Sequence, residues 1–137
     1  MGRAAQRARR EPGAGGLRFI AVVPAALAAA LVLAAGTADA ARGEELYARC
    51  AACHALDYNR VGPRHCALLG RRAGSVPGFE YSPAMKRSKL IWNRENLDRF
   101  LADPARVVPE TTMTYAGVPE PKERADLIAY LAKAKCK

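Results

Sequence analysis

Period-two alternation of apolar and polar residues is missing from this chain, as are internal repeats and any low-complexity linker. These absences exclude a β-fold, a repeat array and a multi-domain arrangement. Acidic side chains are the minority, 13 against 22 Lys and Arg. No run interleaves basic and aromatic residues as nucleic-acid readers do, so the basic balance does not point to nucleic acid. Histidine is rarer still, at two, beside four cysteines. The metal or redox chemistry of the chain must come from those few positions.

The first forty residues differ from the rest. Arg3, Arg7, Arg9 and Arg10 form a basic head, Phe19 to Ala35 is almost unbroken apolar sequence, and Ala38-Asp39-Ala40 offers small residues where a signal peptidase reads. Residues 1–40 are therefore expected to be a secretory signal cleaved after Ala40. An uncleaved membrane anchor is the alternative, because the run falls only slightly short of a bilayer span. A mitochondrial presequence would be amphipathic, which this run is not, and the surroundings of Arg9-Arg10 do not support a twin-arginine signal. The leader holds five of the basic and two of the acidic residues, so 41–137 keeps a net charge of +6. In an exported protein that charge suits an acidic protein partner, with an anionic membrane surface as a lesser contact.

Residues 41–137 read as one helical domain. Leu46, Cys50 and Cys53, spaced by four and three, predict a short helix from Arg42 to about Cys53. Asp57 to Gly78, rich in Gly, Pro and Arg, reads as ordered loop. Asn93 is a candidate N-cap for a helix to Ala102, with Leu97, Phe100 and Leu101 as its apolar stripe and Asp103-Pro104 as its stop. Val107 to Pro121 is loop again. From about Lys122 the chain predicts a strong helix, with Ala125, Ile128, Ala129 and Ala132 on one face. Loops this long between helices this short cannot close a bundle core alone. A planar macrocycle would fill the middle, and so small a domain often depends on such a cofactor or a covalent staple.

Cys50-Ala51-Ala52-Cys53-His54 is a C-x-x-C-H motif. Three residues apart on a helix, two thiols project from one side, and each can add to one vinyl group of a haem. His54 then places an imidazole under the iron. A thioredoxin-like redox pair would need a βαβ context, and no strands are predicted. A zinc site would need a second knuckle, which His65, Cys66 and Cys136 do not make. For the other iron face, chemistry alone leaves Met85, Met113 and His65 open; an isolated methionine is otherwise a gap-filler of cores.

In order along the chain, C-A-A-C-H, V-G-P-R-H (61–65), L-G-R-R-A-G (69–74), P-G-F-E-Y (77–81), Trp92, D-P-A-R-V-V-P (103–109), T-T-M-T-Y-A-G (111–117) and E-R-A-D-L-I-A-Y-L (123–131) resemble class I c-type cytochromes, the soluble electron carriers of bacteria and mitochondria. The segment from His54 to Gly62 is similar to the bacterial members. The resemblance implies an all-α cytochrome c fold, short helices and ordered loops around one covalent haem c on Cys50 and Cys53. It implies iron ligation by His54 and Met113, with the Pro63 carbonyl fixing the imidazole. Arg71, Tyr81, Trp92 and Thr111 would surround the haem propionates, and Gly43, Tyr47, Leu127 and Tyr130 would form a crossing between first and last helices. It places Cys136 near the loop after Pro63, so that Cys66 and Cys136 are expected to pair.

Departures from the family pattern accompany this. Phe100 stands where a tyrosine usually bonds the methionine sulfur, and Met85 where a small polar residue meets an internal water. In the basic ring of the haem edge Arg49 and Arg106 match, whereas Ala105, Thr112, Pro119 and Glu120 replace lysines. The expected function is that of a monomeric periplasmic one-electron carrier, with no turnover of its own, serving acidic partners such as a membrane cytochrome reductase or oxidase. The alternatives are an electron-entry subunit of a periplasmic dehydrogenase, or a peroxidase-like haem protein.

Overall fold

The computed structural model describes residues 36–137. The apolar run of the leader, and with it the choice between signal and anchor, lies outside the described residues. Helix α1 spans Ala40–Tyr47, α2 Pro83–Arg87, α3 Arg94–Ala102, α4 Pro104–Val107 and α5 Pro121–Lys133. Among the described residues the one β-type pairing is an isolated bridge between Arg72 and Ile91. The all-α reading holds.

Helix α1 starts two residues earlier and ends six earlier than its apolar spacing predicts. Asp39 caps it, its carboxylate accepting from the Ala41 and Arg42 amides at 2.9 and 3.4 Å. After Tyr47 the chain continues in tighter turns, with the Cys50 amide donating to the Tyr47 carbonyl at 2.8 Å and the His54 amide to that of Cys50 at 2.9 Å. Such turns keep a near-helical side-chain spacing, which is why periodicity did not locate the end. Helix α3 matches its predicted bounds, fixed by a reciprocal capping box between Asn93 and Asn96. Asp103 ends α3 and caps α4, accepting from the Arg106 amide at 3.1 Å, so the Asp-Pro pair restarts a helix as well as stopping one. Helix α2 went unread in the sequence, although Ser82 before Pro83 is a start signal; the Ser82 hydroxyl accepts from the Met85 amide at 3.1 Å.

Helices α1 and α5 cross with Gly43 against Asp126 and Tyr130. A β-carbon on Gly43 would land on the Asp126 carbonyl and 2.8 Å from the Tyr130 β-carbon, so only glycine permits this approach. Tyr47 and Tyr130 rings pack 5.4 Å apart, and Leu127 is fully buried beneath them. Helix α3 is tied to α5 by Arg124, whose guanidinium meets Asp98 at 2.7 Å and donates to the Val118 and Pro119 carbonyls. Gly117, at φ +113°, brings its loop onto the Ala102 carbonyl, and the Val118 amide then bonds the Leu101 carbonyl at 2.7 Å.

Cys66 and Cys136 form the expected disulfide, their α-carbons 4.9 Å apart across a sequence separation of 70. Beside it the Ala67 amide donates to the Ala134 carbonyl at 2.8 Å. The bridge anchors the loop after Pro63 to the end of α5. Replacing both cysteines by alanine should lower the unfolding free energy of the haem-loaded protein by roughly 2–4 kcal/mol, read as a lower denaturant midpoint. Alkylation of the unfolded, unreduced wild type should label neither residue.

Candidate functional site

The turns after α1 carry the motif side chains. Cys50 is half-buried and Cys53 exposed, and neither takes part in a disulfide. The turn is held from the following loop: the Gly62 amide donates to the Cys53 carbonyl at 2.7 Å, and the Arg60 guanidinium donates to that of Ala51. Burial raises the Cys50 thiol pKa, the neighbouring Arg49 charge opposing it. His54 Nδ1 lies 2.7 Å from the Pro63 carbonyl oxygen. A carbonyl can only accept, so that nitrogen carries the proton and Nε2 keeps its lone pair for a metal. Burial lowers the His54 pKa, which favours the neutral imidazole a metal requires. Gly62 packs flat against this ring, where a β-carbon would overlap it, 2.6 Å from Nε2.

All nine residues expected at the site line one cleft of about 430 Å³: Cys50, Cys53, His54, Pro63, Arg71, Tyr81, Trp92, Thr111 and Met113. Met113 comes from the loop between α4 and α5, half-buried, its amide donating to the Thr111 hydroxyl at 3.3 Å. Met85, from α2, lines the same cleft but is buried within the core cluster. Arg71 reaches the cleft while its guanidinium donates to the Cys66 and Arg64 carbonyls at 2.8 and 2.9 Å. Burial raises the Tyr81 pKa and keeps the phenol protonated. Trp92 is buried, with its ring 5.0 Å from that of Phe100.

His65 behaves differently from its reading as a candidate for the open iron face. Its ring stacks on His54, centroids 4.0 Å apart and planes at 22°. A ring stacked on the proximal imidazole cannot also occupy the opposite face of an iron bound to Nε2. His65 instead packs against the His54 ring, edge-on to Tyr47, with its Nδ1 buried and without a hydrogen-bond partner in the structure. Sequence gave no sign of this, since a buried and an exposed histidine are written alike. The role of Gly62 was legible in principle from the glycine next to Pro63.

The site suits the group that its motif implies. It brings together two cysteines one turn apart that no disulfide takes up, an imidazole with Nδ1 committed to a carbonyl, a methionine on a loop, and largely apolar walls. The disulfide between Cys66 and Cys136 removes both from any zinc set. On the surface Arg49 is paired with Glu123 at 2.7 Å, which raises its pKa and leaves the basic ring thinner than its sequence suggested.

Comparison with known proteins gives concordant results. The family model described as cytochrome c matches residues 40–135. The chain is 44% identical over 117 residues to cytochrome c2 of Rhodomicrobium vannielii, covering 82% of this chain and 92% of that protein. It is 40% identical to cytochrome c2 of Blastochloris viridis, over 75% of this chain and 84% of the relative. Among solved structures, cytochrome cH from Methylobacterium extorquens superposes with a TM-score of 0.67 at 43% identity, covering 69% of this chain and 97% of that one.

Because the Gly62 backbone touches the His54 ring, Gly62→Ala should displace the imidazole or its loop. Overpacking of this kind costs about 1–3 kcal/mol. The expected outcome is a lower unfolding midpoint together with a smaller haem-loaded fraction, measured as Soret absorbance per unit of protein.

Proposed function

The chain belongs to the cytochrome c family, and from that premise we propose that it is a periplasmic one-electron carrier whose iron is held by His54 and Met113. Membership makes it an electron-transfer protein rather than an enzyme, with a haem c attached through the thiols of Cys50 and Cys53. When bound, that group supplies reversible one-electron exchange between ferrous and ferric iron. The observation that carries the reading is the cleft that gathers His54, both thiols and Met113.

Each protein group has a physical task. The Pro63 carbonyl holds the His54 ring in one tautomer and one orientation, which would keep the ring in place when the iron changes charge. A soft thioether from Met113 would favour the ferrous state and raise the reduction potential relative to two nitrogens. With His54 and Met113 both holding the iron, no position would remain for substrate or peroxide. The apolar wall from Met85, Trp92 and Phe100 keeps water from that side, and Arg71, Tyr81, Trp92 and Thr111 would compensate the propionate charge.

Met113 is preferred over Met85 for two reasons. It stands in the T-T-M-T-Y-A-G segment, where the family has its axial methionine. Met85, by contrast, is buried on α2 within the core cluster, as a gap-filling methionine is. Export rests on the basic head and apolar run of the leader; among the described residues no helix is long and apolar enough to cross a membrane. The partners proposed are acidic redox proteins such as a membrane cytochrome reductase or oxidase, met by a monomer carrying net positive charge.

Met113→Ala should abolish the thioether-to-iron charge-transfer band of the ferric protein and let the ferrous form bind carbon monoxide. Met85→Leu should leave the band in place and the iron closed to carbon monoxide. The reverse pattern would move the ligand to Met85, and carbon monoxide binding by the wild type at neutral pH would overturn the carrier reading.

A further inference from the structure

The small-residue rule for signal peptidases is met at more than one bond at the end of the leader. Ala38 and Ala40 satisfy it for cleavage after Ala40, and Gly36 and Ala38 satisfy it for cleavage after Ala38. The peptidase reads an extended chain, so the small-residue rule alone does not choose the bond. The two products differ in what the folded domain retains.

Asp39 is built into the domain through three groups. Its carboxylate caps α1, its carbonyl accepts the Gly43 amide at 3.0 Å, and its own amide donates to Asp126 Oδ1 at 2.6 Å. Asp126 lies in α5 and its side chain is fully buried. Lys122 Nζ also reaches Oδ1, at 2.5 Å. Oδ2 has no hydrogen-bond partner in the structure; its nearest cation, Arg42 Nε, stands 3.7 Å away. A buried carboxylate with one oxygen unpartnered calls for another donor, preferably a charged one.

We propose that maturation hydrolyses the Ala38–Asp39 peptide bond, so that the mature protein begins at Asp39 and its α-ammonium pairs with the buried carboxylate of Asp126. Water is the co-reactant: Ala38 leaves with the new carboxylate, and Asp39 takes the new amine, which is protonated at neutral pH. One amide hydrogen is thereby replaced by three ammonium hydrogens. The hydrogen bond to Oδ1 becomes charge-assisted, and a further donor becomes available for Oδ2. The new charge lies outside the first turn of α1, beside two carboxylates.

Cleavage after Ala40 has the opposite effect. It removes the cap, leaves the Ala41 and Arg42 amides without their acceptor, and takes the Asp39 donor from Asp126. It also places the α-ammonium of Ala41 inside the first turn, where the helix dipole disfavours positive charge. Only the product that keeps Asp39 retains both the cap of α1 and the donor to Asp126 at the α1–α5 crossing.

The inference rests on the export reading, and intact mass analysis separates the two. The full chain is expressed in a host that exports and matures c-type cytochromes, and the haem-loaded protein is recovered. A mass and N-terminal peptide beginning at Asp39 are expected. A first residue of Ala41, or any other within the described segment, overturns this cleavage point and leaves export intact. A full-length protein retained in membranes overturns cleavage itself. In the purified Asp39-initiated protein, Asp126→Asn should make the α-amine lose its proton at lower pH and label faster with an amine-specific acylating reagent at neutral pH. Unchanged labelling would refute the ion pair. A second product, made with the leader joined directly to Ala41, should fold with an equilibrium constant roughly 3- to 30-fold less favourable, the range expected for loss of a helix cap. Equal stability of the two would also refute the inference.

Discussion

The contact between α1 and α5 at Gly43 is the one on which the rest of this domain depends. With no side chain at Gly43, α1 lies directly on the backbone of α5 at Asp126, and the rings of Tyr47 and Tyr130 close over Leu127. The motif turn begins immediately after Tyr47, so the crossing determines where Cys50, Cys53 and His54 stand. At the other end of α5 the Cys66–Cys136 bridge holds the loop that carries Pro63. One helix therefore positions both the turn bearing His54 and the loop whose Pro63 carbonyl hydrogen-bonds it. A shift of α5 would disturb the distance between them, which is 2.7 Å, and a shift of about one ångström would break the hydrogen bond.

That arrangement explains how a domain with so little regular structure can keep a site rigid. Its helices are short, two of them of only five and four residues, and the walls of the cleft come mostly from loops. The loops are fixed individually, by the backbone bonds of Gly70 and Trp92, by Arg71 to two carbonyls, and by Gly117 against α3. Electron transfer gains from this, since a site that changes little between oxidation states needs little reorganisation. The stack of His65 on His54 belongs to the same logic: the His54 ring has an aromatic ring stacked on it and Gly62 against it, which restricts its turning.

The outline was legible from sequence where local chemistry decides it. Asn93 and Asp103-Pro104 fixed α3 to the residue, because caps and proline act within a few positions. The C-x-x-C-H run and the ordered family segments pointed to residues that all meet at one cleft. What sequence did not reveal depends on distant packing. The end of α1 was misplaced because its turns keep helical spacing, and α2 was missed because five residues carry no periodicity. The burial of His65 follows from the neighbours it meets in three dimensions, and Arg49 counts as a free cation until α5 brings Glu123 to it.

Charge shows most clearly why composition and surface chemistry must be kept apart. A net charge of +6 on residues 41–137 acts at long range and speeds encounter with an acidic surface whatever its shape. Specific docking depends instead on which cations are uncommitted near the cleft. Several basic residues are engaged within the fold: Arg49 with Glu123, Lys122 and Arg42 with Asp126, Arg124 with Asp98. Near the cleft mouth stands Val61, an apolar side chain 80% exposed. Attraction at a distance combined with few directed ion pairs at contact gives fast association and easy release, as screened surface pairs contribute little once formed. A carrier that must leave one partner before meeting the next needs that combination, and a permanently docked subunit would have no use for it.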